Sequence, residues 1–171
     1  MCGLETIRGR AVLVAVASMS LARPVAAEEA LVTYRSVSPD IALEIAQAAM
    51  KRCRDDGLQI AVVVMDRFGA PLVLLRDRFA GLPSAATASS KAYTALSFRS
   101  STAEFARGIE NKRLDAGLGR LPNVVAMAGG LPVEAGGSVV GAVGVSGAPG
   151  GDRDEACAAA GIEAVRDRLD F

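Results

Sequence analysis

The chain has 171 residues, 51% of them hydrophobic, with 19 basic and 19 acidic side chains and no histidine or tryptophan. One domain with a proper core is the expectation for this length, and a balanced charge without a basic block argues against nucleic acid and anionic membrane as partners. The lack of histidine excludes Ser-His-Asp and Cys-His catalysis, HExxH zinc sites and a histidine-ligated haem.

In chain order, Arg8 and Arg10 precede the apolar run Ala11–Ala22, and Val25-Ala26-Ala27 follows. A basic start, a short apolar middle and small residues at −3 and −1 predict a secretory signal over residues 1–27. The run is too short for a bilayer, which needs about 20 residues, so an uncleaved anchor is the lesser reading. Cleavage after Ala27 removes Arg8, Arg10, Arg23 and Glu5, leaving 16 basic against 18 acidic residues. The mature protein is then expected in the periplasm or outside the cell, off the membrane.

Residues 28–37 have no clear period and form an arm, and residues 38–171 form the single domain. Ser38-Pro39-Asp40 opens the first helix, with serine as N-cap and proline at N1; Gly57 closes it. Leu58–Met65 and Leu72–Leu75 are strands joined by Asp66-Arg67-Phe68-Gly69, where Asp66 caps the turn. A helix rich in small residues runs from Ala85 to Phe98, and Ser101-Thr102-Ala103-Glu104 is a capping box for a short helix ending near Gly108. Asn111–Asn123 reads as a loop long enough for a lid or an interface segment. Val124–Met127 is expected as a third strand.

A hairpin about Ala135-Gly136-Gly137 supplies the fourth and fifth strands. In its second arm Val139, Val143 and Val145 share a face with Gly141, while Val140, Ala142, Gly144 and Ser146 share the other. The second face is nearly bare, so a helix, a neighbouring subunit or a ligand must approach that backbone closely, with a helix the leading candidate. A final helix starts at Asp152. The order α-β-β-α-α-β-β-β-α, with short links between strands, predicts an α+β fold: a five-stranded antiparallel sheet flanked by helices. Cys53 and Cys157 both fall on predicted helices. A disulfide and two separate buried thiols are both open, because spacing cannot show whether the Cα atoms meet.

Several motifs are absent or incomplete. Gly144-Val145-Ser146-Gly147-Ala148 lacks the last glycine of a serine elbow, and no Walker lysine follows the glycines. Gly147–Gly151 precedes a helix, yet Asp152, Asp154 and Glu155 crowd its positive end, so a self-capped turn is preferred to a phosphate cradle. Lys91, Tyr93 and Thr94 stand out on a helix otherwise made of alanine and serine. Lysine suits a carboxylate, and the two hydroxyls can bond a substrate or approach a metal; the competing picture packs the tyrosine on the sheet and leaves the lysine in solvent.

Gly129-Gly130-Leu131-Pro132-Val133, the run Gly137–Gly147 and Asp154-Glu155-Ala156-Cys157-Ala158 together resemble the GlcG/HbpS family. Val64–Gly69 and Lys91-Ala92-Tyr93-Thr94-Ala95 match in the same order, so the likeness covers the chain from about Ser38 onward. This family includes secreted haem-binding proteins, a protein of glycolate-utilisation loci and a domain appended to some corrinoid adenosyltransferases. The resemblance implies a profilin-like fold and a pocket at the ligand or subunit interface lined by Lys91, Tyr93, Thr94, Gly129, Gly130 and Pro132. It also implies an exported, homo-oligomeric protein that binds a small ligand, with haem the best single candidate. With no histidine, Tyr93, Met127 or Thr94 would have to ligate the iron, and Arg76, Arg78 and Lys91 could pair with propionates. Two alternatives stand beside it. One is a small enzyme or accessory in which Lys91 holds a carboxylate or hydroxy acid, as in glycolate-type metabolism; the other is a purely structural oligomer. No catalytic residue or metal ligand is assigned.

Overall fold

The computed structural model describes residues 31–169, and residues 34–169 belong to one compact unit. The expected signal segment lies outside the described residues, and residues 31–33 are exposed without regular structure. Among the described residues, no helix is long and apolar enough to cross a membrane.

The elements in order are α1 (Pro39–Asp55), β1 (Ala61–Asp66), β2 (Pro71–Arg76), α2 (Ser84–Phe98) and α3 (Thr102–Glu110). A short 3₁₀ helix (Ala116–Arg120) follows, then β3 (Gly130–Ala135), β4 (Ser138–Ser146), α4 (Gly151–Glu163) and α5 (Arg166–Leu169). Local chemistry sets the ends as expected. Ser38 Oγ accepts from the Ile41 amide at 3.3 Å, and Ser101 Oγ accepts from the Glu104 amide at 3.1 Å. Asp66 Oδ1 accepts from the amides of Phe68 and Ala70 at 2.8 and 2.9 Å, which fixes the β1–β2 turn.

The sheet is antiparallel throughout with order β2-β1-β4-β3, so it has four strands and not the five expected. The strand that fails is Val124–Met127. Asn123 turns the chain with φ 65°, the Val124 amide bonds back to the Leu121 carbonyl, and the Val125 amide is taken by the Thr94 hydroxyl at 2.9 Å. Once these amides are satisfied by a turn and a side chain, no ladder forms, whatever the β-propensity of two valines.

Helices cover both faces. Val62, Val64, Val143 and Val145 point into the larger core with Ile45, Ala49 and Ala158 of α1 and α4. Ala61, Val63, Met65 and Ala142 face α2 through Ala88, Ala92 and Ala95. What approaches the bare face of β4 is therefore a helix. A Cβ on Gly144 would collide with the Ala88 carbonyl oxygen and sit 2.6 Å from the Ala92 nitrogen. One departure from the expected alternation is Val140, which packs in the larger core beside Val143 and Val145. In the pairing with β3, Val133 faces Gly141 and Glu134 faces Val139, so Val140 is the extra residue of a bulge that inverts the phase. The Val37 amide bonds its carbonyl at 2.9 Å.

Cys53 and Cys157 form a disulfide between α1 and α4, with Cα atoms 5.6 Å apart. The two helices approach closely beside it, since a Cβ on Gly161 would lie 2.6 Å from the Ile45 carbonyl oxygen.

Candidate functional site

The small-residue face of α2 brings the helix so close to β4 that a long side chain can cross beneath the strand ends. Lys91 does so. Its side chain is 1% exposed, and Nζ lies 2.7 Å from Asp154 Oδ2 at the start of α4 and 2.9 Å from the Val145 carbonyl oxygen. Asp154, 3% exposed, accepts from the Ala148 amide at 3.0 Å through its other oxygen. The acid thus occupies the glycine-rich turn before α4, in keeping with a self-capped turn.

The glycine pair threads the chain past this ion pair. Gly129 has φ 117°, and a Cβ there would lie 2.8 Å from Lys91 Nζ and 2.7 Å from Asp154 Cβ. A Cβ on Gly130 would strike the Lys91 carbonyl oxygen. Only glycine fits either position. Gly130 N donates to Thr102 Oγ1 at 2.9 Å, and Gly129 O accepts from the Val145 amide at 2.8 Å, so the strand ladder begins here. Thr94 is fully buried; its hydroxyl donates to the Ser90 carbonyl at 2.7 Å and accepts from Val125 N. Pro132 stands on β3, an edge strand, where a missing N–H is tolerated.

Of the six residues expected to line a pocket, Lys91, Thr94, Gly129 and Gly130 come together as a buried scaffold that pins the 121–130 segment to α2. Pro132 follows on β3. Tyr93 alone stands substantially in solvent, at 37% exposure. It lines a groove of about 390 Å³ with Met65, Gly69, Ser89, Ser90 and Asn123. Met127, 52% exposed, lies on the pinned segment two residues beyond Val125. The Arg76 guanidinium bonds the Ala80 carbonyl, and Arg76 lines a different groove beside Gln47 and Arg54. Arg78 lies over the Phe79 ring at 5.7 Å. Sequence reasoning missed two members of the scaffold, Thr102 and Asp154. Thr102 sits at a helix start beside serines with no signal separating it from an ordinary cap, while Asp154, though it heads a run that carries the family resemblance, reads there as one acid of a self-capped turn. No group of three or more acidic or cysteine side chains capable of holding a metal occurs among the described residues.

A three-layer α+β fold with a buried lysine–aspartate pair joining α2 to α4 defines the class of protein. The model of the family described as "Haem degrading protein HbpS-like" matches residues 37–163, and the chain belongs to that family. A double mutant of Streptomyces reticuli HbpS has a similar crystal structure, with a TM-score of 0.75 and 33% identity, covering 92% of this chain and 99% of that one. The crystal structure of a PduOC:heme complex is similar at a TM-score of 0.71 and 26% identity, covering 75% and 94%. An uncharacterized 15.0 kDa protein from the dhaT-dhaS intergenic region of Citrobacter freundii is 35% identical over 109 residues, 62% of this chain and 76% of that protein.

Proposed function

We propose that this protein is an exported haem-binding protein, that the porphyrin lies in the Tyr93 groove, and that it works as a homo-oligomer. The observation that carries the reading is the placement of Tyr93: it is the one side chain of the Lys91–Thr94 motif turned to an open groove, in a chain whose relatives include a haem complex. The residues suit the group. Tyrosine is a known axial donor to haem iron, and a groove of about 390 Å³ is within the range of small-molecule sites. The small side chains of Ser89 and Ser90 leave room for a flat macrocycle, and the scaffold behind them keeps the platform rigid. A bound haem would supply a redox-active iron. Tyr93 would hold and orient it, and Met127 offers a thioether on the neighbouring segment.

An open groove covers one face of a macrocycle, and a second copy of the chain covering the other face is the reason for the homo-oligomer. Export is supported by the basic and apolar leader and by the buried Cys53–Cys157 disulfide, which suits an oxidising compartment. The carboxylate-enzyme alternative draws no support from the structure, because the Lys91 ammonium it needs is buried against Asp154.

A haemin titration followed by absorbance tests the reading. Expected is a saturable Soret shift that is weakened in Tyr93→Phe. A linear rise indistinguishable from free haemin would overturn it.

A further inference from the structure

A second groove adjoins the first. It measures about 380 Å³ and is lined by Tyr34, Arg67, Phe68, Leu96, Ser97 and Arg99, with no acidic side chain among its described lining residues. The two meet at the β1–β2 turn, where a Cβ on Gly69 would lie 3.7 Å from Leu96 and 4.0 Å from the Tyr93 ring. The acid of that turn, Asp66, is already engaged by the amides of Phe68 and Ala70.

Arg99 is one of three non-glycine residues with positive φ among the described residues, beside Lys112 and Asn123, and the one of them that lines this groove. It caps the C-terminus of α2 in the left-handed conformation, φ 51° and ψ 40°, where glycine is the least strained choice. Its guanidinium makes no hydrogen bond or ion pair with any described residue. Arg99 is exposed, so its guanidinium is open to an anionic group arriving from solvent. Arg67 is held on the other side of the groove: its guanidinium lies 5.0 Å from the Tyr34 ring centre and donates to the Arg35 carbonyl at 3.1 Å. That uses one of its five N–H donors. Phe68 and Tyr34, largely exposed and edge-to-face at 5.6 Å, add an aromatic rim.

We infer that this groove is a carboxylate subsite, in which Arg99 and Arg67 take the propionates of a porphyrin seated at Tyr93. The inference rests on the haem reading and extends it by naming what orients the ligand. Arg99 lies six positions after Tyr93, about 9 Å along a helix axis at 1.5 Å per residue, a reach suited to a macrocycle and its acid side chains. The charges named for this role from the sequence, Arg76, Arg78 and Lys91, are engaged elsewhere or absent from both grooves.

The test compares haemin with haemin dimethyl ester, which keeps the macrocycle and iron but lacks both negative charges. Binding of each is measured for the wild type, Arg99→Gly, Arg99→Asn and Arg67→Gln, with thermal midpoints alongside. Wild type is expected to prefer haemin over the ester by about tenfold, the lower end for a hydrogen bond to a charged group. Arg99→Asn and Arg67→Gln should lose most of that preference and leave ester binding unchanged. Arg99→Gly should do the same while raising the thermal midpoint, a combination a merely structural arginine would not produce. Equal affinity of the wild type for the two porphyrins, or parallel losses for both in the variants, overturns the subsite and leaves the Tyr93 reading standing. Failure of both porphyrins to bind overturns the two together.

Discussion

Replacing Lys91 by methionine separates a structural lysine from a ligand-binding one. Methionine keeps the length and apolar stem of the side chain and removes the ammonium. Lys91 and Asp154 are 1% and 4% exposed as side chains, so the remaining carboxylate has no water to turn to and keeps only the Ala148 amide. Breaking one partner of a buried pair costs about 3–5 kcal/mol, a large part of a typical total of about 5–15 kcal/mol. Asp154→Asn should fall in the same range for the converse reason, the stranded ammonium. The double variant Lys91→Met/Asp154→Asn removes both charges and should cost markedly less than the two single losses added together, giving a coupling of about 2 kcal/mol or more. Urea unfolding followed by far-UV circular dichroism, with the slopes compared, measures all four proteins. A Lys91→Met protein within about 0.5 kcal/mol of wild type, or single losses that simply add, would refute the buried-staple argument. Loss of small-carboxylate binding at unchanged stability would place Lys91 in a ligand site instead.

Three further outcomes follow from the packing. Cys53→Ala/Cys157→Ala should lose about 4–5 kcal/mol, because the bridge closes a loop of 104 residues; guanidinium midpoints that are the same with and without reductant would contradict this. Gly144→Val should cost about 3 kcal/mol or more, or prevent folding, because its Cβ meets the backbone of α2, which no rotamer change relieves; a soluble variant with a wild-type midpoint would mean that α2 does not lie on this strand. The exposed Glu44–Arg168 pair has a modest pH signature. A hydrogen bond from Arg168, aided by its charge and opposed by desolvation, lowers the Glu44 pKa below 4.5. A depressed carboxylate stabilises the fold above its unfolded pKa and loses that contribution as pH falls through the folded value. Glu44→Gln should therefore lower the thermal midpoint slightly at neutral pH, with the gap closing well below pH 4.5 and narrowing in high salt.

Local features were readable where the chemistry is local. Ser38 and Ser101 cap helices, Asp66 caps its turn, and the Gly136-Gly137 hairpin forms, because each interaction lies within a few residues of its cause. The bare face of β4 was also legible, and the helix preferred for it is what covers it. Val124–Met127 misled because its propensity is overruled by Thr94, 31 residues away. Lys91 on an alanine-rich helix reads as a carboxylate-binding or a solvated charge, and neither reading finds its true partner, which is 63 residues distant. The bulge at Val140 left no mark in the alternation, since a valine suits either face.

The placement of Lys91, Thr94, Gly129 and Gly130 assigns a physical meaning to the motifs that carry the family resemblance. These residues hold a loop against a helix and keep water from the ion pair between them, and their chemistry is complete without a ligand. The platform is thus energetically separate from whatever donor stands on it. Exchange of a surface donor costs little stability, because exposed positions away from caps and cores tolerate replacement within about 0.5 kcal/mol. A chain without histidine can accordingly keep the fold of its family while its surface donors vary, and on the proposed reading Tyr93 is the donor that this scaffold presents.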